Sequence, residues 1–376
     1  MKKKVLIVTF YDVYNENLNG VTKIGSNLIK YINGNVDVLV LPLASGNKFI
    51  SLINYVLMGV GGSNDYLSRS ELIKCIPLIE SKSKDFDIIH FLGSQFLYLD
   101  GFLSSDLLNK SIVQPIDNLL IYKGRLIKNV SFLKKVFYGL EILKIKKLYR
   151  NVSRFKRIIF VSKRDARLFN HFSRVKSIAI ENGISLDFKK KSDFKIKNSS
   201  RVSLVFHGDL TYAPNIEAVI FLQNLSKKIN ENYQIDVIGK YDENLKNKCD
   251  RLNFLGFVDD LSESLTKYDI YICPIFSGAG IKNKLLEASY MKIPVISTTE
   301  AAMGTRLSAG IEYEKAETIT DFAFSISRLS GNELLRKSIA EMASYKVEHY
   351  FSWNQITERY EAKYNEIYIN NNSKTR

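Results

Sequence analysis

Short β-branched runs alternate with stretches of helical period along almost the whole chain, and few architectures accept that order. The first series of runs is Lys4–Phe10, Val36–Leu41, Asp87–Leu92, Ser111–Gln114, Arg157–Ser162 and Ser177–Glu181. The second is Val202–His207, Gln234–Ile238, Asn253–Leu255, Asp269–Pro274, Pro294–Thr298 and Gly310–Tyr313. Helical patterns lie between them, among them Thr22–Tyr31, Lys163–Phe172, Asn215–Asn230, Ile281–Met291 and Thr318–Ser330. Strands that are apolar almost throughout are buried on both faces, and their alternation with helices implies crossover connections and parallel sheets. The fold class is therefore α/β, with two Rossmann-like domains.

The 376 residues suffice for two separate cores. The polar, charged and aperiodic stretch at 189–200 reads as the linker between a first domain over 1–188 and a second over 201–351. Trp353, Ile356 and Tyr360 have helical spacing and mark a terminal helix, with a frayed tail from Ile369 onward. The longest apolar stretch, Phe49–Gly62, is broken by Asn54 and glycines and falls short of the roughly 20 residues a spanning helix needs. The lysine-rich start leads into a buried first strand rather than a signal peptide.

Cys75, Cys249 and Cys273 form no CxxC and no Cys/His cluster, which argues against a disulfide frame and a zinc site and fits a reducing cytoplasm. The net charge of +15 favours anionic partners: phosphorylated small molecules or an acidic membrane leaflet. Nucleic acid is disfavoured because the lysines are dispersed and no recognition motif is present. A nicotinamide dehydrogenase is disfavoured because no G-x-G-x-x-G follows the first strand.

The chemistry concentrates between Tyr268 and Thr298. A strand ends at Pro274, a small-residue loop carries Gly278, Ala279 and Gly280, and a helical pattern begins at Ile281. The first amides of a helix have no intrahelical acceptor, and the helix dipole favours an anion there. Glycines without Cβ atoms let the backbone approach a pyrophosphate. Lys282 and Lys284 fall in the expected first turn, the wrong end of a helix for cations unless an anion binds there. Glu287, three residues after Lys284, is on the same side and can accept both hydroxyls of a ribose.

The run Gly278-Ala-Gly-Ile-Lys-Asn-Lys-Leu-Leu-Glu-Ala, with Ile293-Pro-Val-Ile-Ser beyond it, resembles the signature of retaining GT-B glycosyltransferases of the group-1/family-4 type. Phe206 to Asn215, Phe254-Leu-Gly-Phe-Val258, Glu181-Asn-Gly-Ile184, Asp85 to His90 and Phe351-Ser-Trp353 are similar to further elements of that family. The resemblance implies GT-B architecture: two Rossmann-like domains facing across a cleft, the first completed by the C-terminal helix over 352–376. It implies a nucleotide-sugar donor, a saccharide or lipid-linked acceptor, and no cofactor or metal. Gly20, Gly278, Ala279, Gly280, Ile281, Lys282 and Lys284 would hold the donor diphosphate. Glu287 would hold the ribose, with His207, Gly208 and Asp209 near the nucleotide or sugar. His90 would reach the donor sugar from a strand end, and Asp117 would orient the acceptor. Two departures stand out: Ala279 occupies the place of the first glutamate of the family's E-x7-E pattern, and the loop from His207 to Tyr212 lacks the cations many members carry there.

Glycosyl transfer, in bacterial surface polysaccharide synthesis, is thus the leading reading. A nucleotide-sugar epimerase and a non-catalytic partner on the same fold are the rivals. The basic, aromatic-bearing stretch 131–150 has two readings: a surface that lies on the anionic inner face of a membrane, or a helix packed on its own domain with a lysine-rich outer face.

Overall fold

A computed structural model describes residues 3–14, 20–42, 69–127, 131–194, 201–277 and 280–373. The apolar stretch Phe49–Gly62 lies outside the described residues, as do Gly278 and Ala279. No helix among the described residues is long and apolar enough to cross a membrane. The chain forms two compact units, one of 1–182 with 356–376 and one of 183–355.

The first unit holds a six-stranded sheet in the order β2-β1-β3-β4-β5-β6. Its strands are β1 (Lys4–Thr9), β2 (Asn35–Val40), β3 (Ile88–Leu92), β4 (Ser111–Ile116), β5 (Ile158–Phe160) and β6 (Ser177–Ala179), all paired in parallel. β3 is buried along its whole length, as a central strand covered on both faces must be. Helix α1 (Gly20–Tyr31) follows the first strand, α2 (Leu119–Leu126) and α3 (Phe132–Asn151) follow β4, and α4 (Lys163–Phe172) follows β5. Ser162 caps α4 by accepting from the Asp165 N–H. The Asp165 carboxylate also accepts from the Asn118 N–H, so this buried acid ties α4 to the exit of β4 as well.

The second unit repeats the plan with the order β12-β11-β10-β7-β8-β9. The strands are β7 (Val202–His207), β8 (Tyr233–Ile238), β9 (Asn253–Gly256), β10 (Ile270–Cys273), β11 (Val295–Ser297) and β12 (Glu314–Lys315). Helices α5 (Ala213–Ser226), α6 (Asn283–Tyr290), α7 (Ile319–Ser330) and α8 (Glu333–Phe351) accompany them. The last strand lies beyond the expected Gly310–Tyr313. Gly310 has φ 76°, and its N–H donates to Tyr313 O, so that segment is a turn and pairing with β11 starts at Glu314. Residues 187–194 run along this unit: the Lys191 N–H donates to Met291 O, and buried Arg336 donates to Phe194 O.

Helix α9 (Trp353–Asn372) starts in the second unit and continues in the first. At its start, Trp353 lies under Gly183, where a Cβ would meet the indole at 2.5 Å. Farther on, Tyr360, Tyr364 and Ile367 are buried at helical spacing in the first unit, and Arg359 pairs with Glu181 at 2.7 Å. That spacing keeps the helix intact to Asn372, past the frayed tail expected from Ile369.

Candidate functional site

In a parallel sheet the strands end together, and the loops leaving their carboxyl ends part to leave a crevice. In the second unit that crevice is a cavity of about 300 Å³ between the exits of β7 and β10. His207, Gly208 and Asp209 line one wall, and Ile281, Lys282, Asn283, Lys284 and Glu287 line the other. Tyr212, Pro214, Asn215, Ile275 and Ser277 complete it. Of the described residues expected at the donor's nucleotide in this unit, all but Gly280 line this cavity.

Helix α6 begins at Asn283 rather than Ile281. Lys282 is extended (φ −85°, ψ 94°) and occupies the N-cap without a side-chain capping bond; its ammonium donates to Gly280 O at 3.1 Å. Gly280 has φ 66°, a left-handed turn that favours glycine and delivers the chain to the helix start. Lys284 is thus the second helical residue. Ser277 donates to Glu217 of α5 at 2.8 Å, which anchors the loop before it.

Lys284 is the most constrained cation of the pocket. Its ammonium donates to Asn215 Oδ1 at 2.6 Å and stands 4.5 Å from the centroid of the Phe206 ring. Gly208 has φ 156°, a conformation that residues with side chains rarely adopt, and a Cβ there would crowd that ammonium and Asn215. Asn215 is held in turn by donating to Asp209 O at 2.6 Å, and Asp209 accepts from the Thr211 N–H and hydroxyl. Burial pulls the Lys284 pKa down to about 8; Cys273 and Glu287 oppose the shift and Lys282 adds to it.

Glu287 is buried one turn further along α6. Its Oε2 lies 3.3 Å from His207 Nε2, and His207 Nδ1 lies 3.0 Å from the Tyr271 hydroxyl. Burial holds the Tyr271 phenol well above its usual pKa, so it keeps its proton. With that phenol donating to Nδ1, the ring proton sits on Nε2 and faces the carboxylate. Asn283 Oδ1 is also buried at the pocket, with no partner among the described residues.

Sequence reasoning did not assign Tyr271 or the contact between Asn215 and Lys284. Tyr271 reads as one more residue of an apolar strand. Asn215 stands inside a motif, but its partner is 69 residues away, and only the pairing of β10 with β7 brings the two loops together.

The remaining candidates lie in the first unit. Gly20 is the first residue of α1. Asp117 is exposed at the carboxyl end of β4, after Ile116, whose φ of 64° is strained for a β-branched residue and redirects the chain out of the sheet. His90 differs from its expected place at a strand end. It is the middle residue of β3, fully buried, with Nδ1 2.7 Å from the Tyr364 hydroxyl and its ring against Tyr360. The helix that returns to this unit covers it, so it has no open face to meet a sugar.

Residues 201–332 match the family model described as glycosyl transferases group 1, and this span contains every residue lining the pocket. A protein of Klebsiella pneumoniae, described as an uncharacterized 44.6 kDa protein in the cps region, is 25% identical over 313 residues, covering 75% of this chain and 78% of its own. A glycosyltransferase from Rickettsia africae has the same fold, with a TM-score of 0.66 at 16% identity over 97% of this chain and 98% of its own. Anabaena Alr3699/HepE in complex with UDP aligns with a TM-score of 0.65 at 13% identity over 96% of this chain and 100% of its own. The fold is GT-B, and within the second unit residues 201–332 are similar to the group 1 glycosyl transferases.

Proposed function

We propose that the chain moves a hexosyl or related sugar from a nucleoside-diphosphate sugar to a hydroxyl of a saccharide or lipid-linked saccharide. The reaction would proceed with retention and without a metal, in the cytoplasm, as a step in making a bacterial surface polysaccharide. The observation that carries this reading is Lys284: a partly desolvated ammonium held by Asn215 and the Phe206 ring, facing the same cavity as a buried carboxylate.

As the bond from the anomeric carbon to the diphosphate breaks, negative charge grows on the departing oxygen. Lys284, Lys282 and the first amides of α6 stabilise that charge, and a fixed cation in a partly desolvated site does so without reorganising. The two lysines supply the positive charge a metal would otherwise bring. Glu287 accepts the ribose hydroxyls, and His207 holds it in register. Asp117 and Gly20, in the first unit, act toward the acceptor and the donor phosphate. Solved structures of Alr3699/HepE with UDP and with UDP-glucose support a nucleotide-sugar donor, and the cps-region relative supports the polysaccharide setting. Retention rests on the resemblance of the motif from Gly278 to Glu287.

Thermal-shift measurement against UDP-, GDP-, ADP- and CMP-sugars tests the reading: one donor class raises the melting temperature by mass action. With that donor, Lys284→Ala lowers turnover by about 100-fold or more, the cost of losing a fixed donor to a developing oxyanion. Transfer near the wild-type rate in that variant refutes the assigned role.

A further inference from the structure

Helix α3 is apolar on two sides. Its inward side buries Ile145 and Tyr149, and its single acidic residue, Glu141, is buried in an ion pair with Lys123 at 2.8 Å. Its outward side is not the lysine-rich face of a packed surface helix. Phe132, Val136, Leu140 and Leu143 succeed one another at intervals of four, four and three residues, which is one stripe of a helix. They keep 77%, 50%, 56% and 61% of their surface exposed. By the same helical geometry Lys135 and Lys146 border one edge and Lys144 the other, while Lys147 and Arg150 continue the line beyond Leu143. These basic residues are exposed, except Lys146, which is half-buried against the Phe172 ring.

We infer that this stripe docks on an anionic lipid surface. An exposed run of large apolar side chains on one helix marks an interaction site. Here every charged residue around it is basic, and the helix's one carboxylate is turned inward and neutralised. That arrangement matches a plane of lipid phosphates over an apolar interior: the crest enters the headgroup–acyl boundary, and the long lysine stems keep their ammonium groups among the phosphates. The net charge of +15 adds long-range attraction of the same sign. The inference stands on α3 alone; a lipid-linked acceptor, if the transferase reading holds, would be met at that surface.

Co-sedimentation of the full chain with vesicles tests it, using phosphatidylcholine alone and phosphatidylcholine with about one-third phosphatidylglycerol. The wild type pellets with the anionic vesicles, little with the neutral ones, and less as salt rises. Leu140→Ser with Leu143→Ser, and separately Lys144→Gln with Lys147→Gln, each lower the partition coefficient by about tenfold. All four positions are exposed, so melting temperature and donor-induced thermal shift stay at wild-type values, which separates this result from failure of the transferase reading. Wild-type chain left in the supernatant with anionic vesicles overturns the proposal, as does unchanged binding of the leucine variant. A dimer that the leucine substitutions dissolve, without vesicle binding, assigns the stripe to a second copy of the chain instead.

Discussion

Each unit buries a histidine on an inner strand of its sheet, and the two have opposite fates. His90 stands mid-strand between Ile7 of β1 and Ile112 of β4, with Tyr360 and Tyr364 laid over it. His207 is the last residue of β7, bonded to Glu287 and Tyr271 and open to a cavity. In the sequence both are lone imidazoles in an apolar run, but Phe91 and Leu92 continue the run after His90 whereas Gly208 follows His207. Their position along the strand separates them. Mid-strand rows are covered by helices on both faces, whereas carboxyl-terminal rows stand where the loops part. A residue's chemistry becomes a site only in the second setting.

The sharpest way to break this comparison is to remove His90. His90→Ala leaves a cavity and takes the partner from the Tyr364 hydroxyl, so it costs about 2–4 kcal/mol of stability. The urea midpoint falls, and the donor-induced thermal shift is unchanged; a lost shift would show that His90 serves the site after all. Burial also pulls the His90 pKa down to about 4, against 6.5 for the exposed ring. The unfolded chain therefore takes up a proton first. The native state keeps its full margin above pH 6.5 and loses it as pH falls toward 4, by on the order of 3 kcal/mol. His90→Phe, compared with wild type at pH 7 and pH 5, lacks that part of the acid sensitivity.

The pocket of the second unit responds at the other end of the scale. Lys284 titrates near 8, mainly through burial, below the ordinary lysine value of 10.5. A bound diphosphate stabilises the ammonium and raises that value. Affinity for UDP is then level below pH 8 and falls above it, approaching tenfold per pH unit. Binding above pH 8 takes up a proton, visible by calorimetry in buffers of different ionisation heat. The folding sign is the reverse of a stabilising pair: the charged lysine costs the native state below pH 8, and the cost lifts as pH rises toward 10.5. Affinity that stays flat to pH 9 would remove Lys284 from the anion site.

The sheets were readable in the sequence because parallel strands are short, largely apolar β-branched runs, continuous where the strand is buried, and eleven of the twelve lie where those runs lie. β12 shifts because the last run ends in a turn at Gly310 that apolarity alone does not reveal. The phosphate corner was readable as far as residue types go, since glycine, lysine and glutamate at that spacing have few structural uses. Its exact helical phase was not: Ile281 lies outside the helix, Lys282 is extended at its N-cap, and α6 starts two residues later. Pair contacts were not legible either. His207 and Glu287 are 80 residues apart, and strand order alone decides that they meet. His90 failed for a related reason, because a periodicity identifies a strand without saying where along it the covering helix will lie.

The finest test concerns what His207 does for Glu287. If Glu287 accepts the ribose, His207 acts through it as a positioning residue and touches neither the diphosphate nor the sugar. His207→Phe then removes one charge-assisted hydrogen bond and raises the donor KM by a few-fold, about 1 kcal/mol. The ribose is gripped equally before and during bond cleavage, so kcat stays near wild type. His207→Gln, whose amide can still donate to the carboxylate, restores most of the affinity, which a role in packing alone would not allow. Should kcat fall as far as it does in Lys284→Ala while KM holds, His207 would belong among the groups that meet the reacting atoms. The contrast with His90 would then be one of chemistry and no longer of support.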